Sequence, residues 1–70
     1  MRTIKAKLPH FDKPGEIDRD QYVKAKTRQL REFGYNDLTE QQVDEQITKI
    51  LNGEPLDVIG LMMEDEVIAQ

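Results

Sequence analysis

The apolar residues of this chain follow two different rhythms. Residues 2 to 8, RTIKAKL, alternate, with Ile4, Ala6 and Leu8 on one side and Lys5 and Lys7 on the other. A period of two predicts a short strand. The next segment, PHFDKPG at 9 to 15, holds two prolines and a glycine and reads as a linker. Beyond it the period becomes helical. Val23, Leu30 and Phe33 share one face, Tyr22 flanks it, and Arg19, Lys24, Lys26, Arg28 and Arg31 occupy the rest. Further on, Val43, Ile47, Ile50 and Leu51 form a second inward stripe. Glu40, Asp44 and Glu45 point outward there, near the positive end of the helix dipole.

The ends of both helices are marked by capping residues. Asp18 is placed as an N-cap, Gln21 follows at the capping-box position, and Ile17 can staple against Tyr22. Gly34 sits where a left-handed residue closes a helix, with Tyr35 able to fold back over Leu30. The second helix repeats this grammar, with Thr39 as N-cap, Gln42 in the box, Leu38 and Val43 as staple, and Gly53 as the stop before Pro55. The short connection from Gly34 to Asp37 predicts that the two helices pack against each other.

The tail, EPLDVIGLMMEDEVIAQ, supports two readings. Pro55 and Asp57 suit the start of a third helix, and Leu56, Ile59, Met62 or Met63, and Val67 follow helical spacing. Alternatively Val58 to Met63 is a strand, Glu64 to Glu66 a turn and VIA a returning strand. The expected fold class is mainly α: a basic extended arm and linker over residues 1 to 16, then a three-helix domain over 17 to 70 with helices at about 18–33, 39–52 and 55–66. The alternative is α+β, with the N-terminal strand paired to a strand or hairpin at 57–69. A lone strand needs a partner, so pairing of residues 2–8 with a second copy, giving a homodimer, is a further expectation.

Length and composition limit the chemistry. Seventy residues make one small core, near the size where burial alone is only just sufficient. Charged residues are 34% of the chain against 37% hydrophobic, which leaves little apolar surface to spare and predicts marginal stability or association. The absence of cysteine excludes disulfides, thiolate metal sites and a nucleophilic thiol, and points to a reducing, cytoplasmic setting. No apolar run is long enough for a signal peptide or a membrane span. The single histidine, His10, lies in the linker, and there is neither a serine nor a glycine-rich phosphate loop. A nucleophile and base cannot be assembled by the usual routes, so the chain is expected to be no enzyme, with no cofactor. Glu64, Asp65 and Glu66 are three consecutive acids without the ligand spacing of a calcium loop, so no metal is expected either.

Charge adds a direction. Residues 1 to 31 carry nine Lys or Arg against four Asp or Glu, whereas residues 32 to 70 carry ten acids against Lys49 alone. Such a chain has a basic half for polyanions or an acidic half for basic partners. The basic set Arg2, Lys5, Lys7, Lys24, Lys26, Arg28 and Arg31 gives the nucleic-acid reading. Against it, residues 55 to 66, where a helix-turn-helix would place its recognition helix, are acidic and apolar. A ribbon-helix-helix dimer pairing the Ile4 to Leu8 strands would have to read DNA with that strand alone. The stronger signal is apolar. Leu61, Met62 and Met63 in succession cannot all face inward from one helix, so part of this run is expected at the surface or under another molecule.

From residue 27 to 66 the order of signals resembles a ubiquitin-associated (UBA-like) three-helix domain. The likeness lies in LREFGY at 30 to 35, a leucine, two residues, then an apolar–glycine–aromatic turn, followed by a second helix and a short third segment, DVIGLMMED. Phe33 stands where that family usually has methionine, the second helix is longer, and the basic arm has no counterpart. The resemblance implies a protein-binding patch made of Phe33, Gly34, Tyr35 and the end of the third helix. The functional expectation is a non-enzymatic adaptor, regulator or inhibitor that binds another protein. Phe33, Tyr35, Leu61, Met62 and Met63 would supply apolar contact, and Glu64, Asp65 and Glu66 would steer a basic partner. The alternatives are a nucleic-acid-binding regulator and an acidic inhibitor occupying the basic channel of a nucleic-acid enzyme.

Overall fold

In a computed structural model, residues 2–7 and 15–68 are described. The alternating N-terminal residues form strand β1, Thr3–Ala6, with Ile4 and Ala6 buried and Thr3 and Lys5 turned to solvent. Its neighbours come from its own chain. Strand β2, Gly15–Asp18, pairs antiparallel with it in the register Ile4 opposite Ile17 and Lys5 opposite Glu16. On the other side β3, Val67–Ile68, places Val67 opposite Ala6 and Ile68 opposite Lys5. The sheet order is β2-β1-β3, so β1 is central. The pairing expected from a homodimer through residues 2–8 is made for β1 within the chain. Ile4 of β1 belongs to the same core cluster as the helices. The linker reading of residues 9 to 14, His10 included, lies outside the described residues, but Gly15 already opens β2.

Three helices follow: α1, Arg19–Glu32, α2, Glu40–Asn52, and α3, Val58–Met63. The caps act as their residue types require. Asp18 Oδ2 accepts from the Gln21 amide at 3.2 Å, and Thr39 and Gln42 exchange both bonds of a capping box. At the end of α1 the Gly34 amide donates to Arg31 O and the Tyr35 amide to Leu30 O, a complete Schellman pair with Gly34 at φ 125°. Gly53, at φ 71°, and Glu54 make the same pair with Ile50 and Lys49. The third helix is shorter than 55–66. Asp57 caps it, accepting from the amides of Ile59 and Gly60 on Oδ1, and it ends at Met63. The tail thus combines both readings, a helix over 58–63 and then a turn at 64–66 that returns as β3. Among the described residues the fold is mixed: three helices and a small three-stranded antiparallel sheet.

One core joins all the elements. Ile4 of the sheet, Tyr22, Val23 and Leu30 of α1, Val43, Ile47 and Ile50 of α2, Leu38 of the connection, and Met63 and Val67 of the tail form a single cluster. Two helix positions differ from their expected faces. Phe33, assigned to the inward stripe, is 71% exposed, because it is the C-cap residue and the chain turns away there; Leu30 and Leu38 close this end instead. Lys26, assigned outward, is only 8% exposed. Its ammonium donates to Glu66 Oε1 at 2.6 Å and Gln29 Oε1 at 3.1 Å, and Tyr22 Oη donates to the same Glu66 oxygen at 2.7 Å. A second polar tie joins the helices, where Arg19 Nε reaches Asp44 Oδ1 at 2.7 Å and its Nη2 reaches Thr48 Oγ1 at 2.6 Å.

Candidate protein-interaction surface

The connection between α1 and α2 is held from inside. Besides the Schellman pair, the Leu38 amide donates to Tyr35 O at 3.1 Å, and Arg31 Nε donates to Leu38 O at 2.7 Å. These bonds tie down both ends of the turn, and its aromatic rings remain outside. Phe33 projects almost freely, and Tyr35 keeps 37% of its surface. The turn is therefore a rigid joint that also presents two rings.

Helix α3 has two apolar faces, because its six residues, VIGLMM, contain no charged or polar side chain. At 100° per residue Gly60 and Met63 point one way and Val58, Leu61 and Met62 the other. Gly60 and Met63 are buried, whereas Val58, Leu61 and Met62 are 60%, 58% and 38% exposed. Of the three consecutive residues LMM, Met63 thus leaves the candidate contact set by filling the core, and Leu61 and Met62 remain. Val58 belongs to the same outer face and was not anticipated; its spacing of three and four from Leu61 and Met62 is the signal that could have found it.

A groove on each side of α3 extends this face. One, of about 480 Å³, runs between the α1–α2 turn and the start of α3 and is lined by Tyr35, Asp37, Leu38, Asp57, Val58 and Ile59 among others. The other lies between the end of α2 and α3 and includes Glu54, Pro55, Leu56, Leu61 and Glu64. The glycine–aromatic turn thus meets the beginning of α3 and not its end, where the resemblance to UBA-like domains put the patch. Asp57 anchors the arrangement, since its Oδ2 accepts from Gln46 Nε2 of α2 at 3.1 Å while its Oδ1 caps α3.

The three candidate steering acids part company. Glu64 and Asp65 are exposed in the turn after α3. Glu66 is committed to Lys26 and Tyr22, because this turn folds back over α1. Burial, and then the bond and charge of Glu66, push the Tyr22 phenol above its ordinary value of 10.0. This strongly perturbed group lies in the core and lines neither groove beside α3.

The basic candidates are dispersed as well. Arg2 pairs with Asp20 at 2.8 Å and Asp44 at 3.8 Å, and its guanidinium is held in the charged form first by the Asp20 hydrogen bond. Lys26 is internal, Lys5 stands opposite Glu16 on the outer face of the sheet, and Lys7 is exposed at the end of β1. Only Lys24, Arg28 and Arg31, at helical spacing on α1, line a common groove, which Glu32 and Glu40 share. Among the described residues no group of three His, Cys, Asp or Glu is arranged to hold a metal ion, and no helix is long and apolar enough to cross a membrane. Compared with protein-family models, curated proteins and solved structures, the chain matches none.

Proposed function

We propose that this protein is a non-enzymatic binding module whose contact face is the outer side of α3, Val58, Leu61 and Met62, extended by Tyr35 and Phe33 of the α1–α2 turn. The observation that carries this reading is the exposure of three large apolar side chains on one face of a six-residue helix that has no polar residue. A chain with so few apolar residues gains nothing in folding from leaving these outside, whereas a partner that covers them regains their hydrophobic contribution. The grooves are shallow and lack a nucleophile, which suits contact more than turnover. Such a module would act as an adaptor, regulator or inhibitor.

The test is affinity capture from an extract of the cells that make the protein, with wild type and Leu61→Ser/Met62→Ser side by side. A protein identified by mass spectrometry on wild type and lost on the variant is the expected result. Identical captured sets would sink the reading.

A second reading rests on Lys24, Arg28 and Arg31, three exposed cations along one side of α1. It makes the chain a nucleic-acid binder of narrower footprint than the full basic set. Binding of labelled DNA and RNA across a salt series checks it, since phosphate-driven affinity is greatest at low salt and its absence there eliminates the reading.

A further inference from the structure

The charges around α3 have one sign. Asp37 and Asp57 line the groove on one side of its outer face, Glu54 and Glu64 the groove on the other, and no described Lys or Arg lines either. None of these four acids makes an ion pair with a described residue, whereas Asp20, Asp44 and Glu66 each have a cation within reach. The described charges lining the two grooves beside α3 are thus all acidic, and no described cation neutralises them.

We infer that the occupant of this face is a cationic amphipathic helix of another protein, with apolar side chains laid over Val58, Leu61 and Met62 and Lys or Arg reaching Asp37 and Asp57 on one flank and Glu54 and Glu64 on the other. The inference rests on the binding-module reading and adds the chemistry of the partner. Charge complementarity sets the sign: an acidic segment would face like charges on both flanks, and a neutral one would leave the acids unpaired at a desolvated rim. The backbone decides the conformation. Asp57 accepts from the amides of Ile59, Gly60 and Leu61, and the backbone here is helical, so this surface offers no strand edge for an added strand and is read through side chains. A helix with apolar positions three and four apart and cations beside them matches a ridge bounded by two acidic grooves. Asp57 serves twice, holding α3 on α2 through Gln46 while adding its charge to the rim.

Three synthetic helical peptides test this against the full chain: one of leucine and lysine, the same with glutamate for lysine, and the same with alanine for leucine. Affinities are measured at moderate salt, and the contact is mapped by amide chemical shifts of the wild-type protein. The leucine–lysine peptide should bind, perturb residues 34–38 and 54–64, and bind at least about tenfold more tightly than either control. Leu61→Ser/Met62→Ser should weaken it by a similar factor, and Glu54→Gln/Glu64→Gln should narrow its advantage over the glutamate peptide. These side chains are exposed, so unchanged urea midpoints verify that the variants fold. Equal binding of the glutamate peptide at this face overturns the inferred partner charge and leaves the binding-module reading standing. Equal binding of the alanine peptide, or perturbation centred away from α3, overturns the inference, as does no binding of the leucine–lysine peptide; the capture experiment then decides the broader reading separately.

Discussion

Gly60 shows how one residue ties the contact helix to the rest of the protein. A Cβ there would collide with the Oε1 of Gln46 and stand 2.9 Å from Leu56 Cβ. Gln46 is buried and its amide is held by Asp57, so it has little freedom to move aside. Alanine favours helix by about 1 kcal/mol over glycine, but overpacking costs about 1–3 kcal/mol. Gly60→Ala should therefore lower the urea midpoint, and a raised midpoint would show that the α2–α3 contact yields easily. Tyr22 gives a pH prediction with a definite sign. Its folded value is raised, so it favours folding below about pH 10, and that contribution is lost as the pH rises above the unfolded value. Stability measured by urea from pH 8 to 11 should fall at the alkaline end. Tyr22→Phe should be less stable at pH 8, having lost the bond to Glu66, yet show a shallower alkaline decline. Neither contact was legible in the sequence: Gly60 reads only as a tolerated helix glycine, and Lys26 reads as one more exposed cation until Glu66 is folded against it, 40 residues away.

Among the elements, α1 and α2 were readable because their boundaries depend on residues within a few positions of each other. Asp18, Thr39, Gln42, Gly34 and Gly53 all cap as their chemistry dictates. Thr39→Ala removes the acceptor for the Gln42 amide and should cost about 1 kcal/mol, measurable as a shifted urea midpoint. A negligible shift would mean that Leu38 and Val43, both buried in the core, hold this end without the cap. The strands were harder. β1 announces itself by alternation, but β2 has one apolar residue in GEID and β3 is two residues long. Both owe their conformation to pairing with β1, a long-range event that no local window contains. The tail was ambiguous for a physical reason: its apolar run is short enough for helix or strand, and it is followed by a turn and a strand.

For the whole molecule, the Cα radius of gyration of 11.3 Å is that expected of a compact single chain of this length, about 11 Å. With β1 already paired on both sides, association through residues 2–8 is not needed to complete the sheet. Light scattering at rising concentration should therefore give the monomer mass of 8.2 kDa at micromolar protein. A dimer persisting there would require the free edges of β2 or β3, or the outer face of α3, as its interface. What the chain of residues specified alone was local: two capped helices, a first strand, the excess of acid after residue 31, and a surplus of apolar residues near 58–63. These depend on neighbours in sequence, through capping bonds, periodicity and composition. Folding settled the rest, choosing which of Leu61, Met62 and Met63 enters the core, sending Phe33 outward and Lys26 inward, and setting Asp37 and Asp57 on one flank of α3 and Glu54 and Glu64 on the other. Those outcomes turn on contacts between distant segments, where burial and charge pairing are decided together.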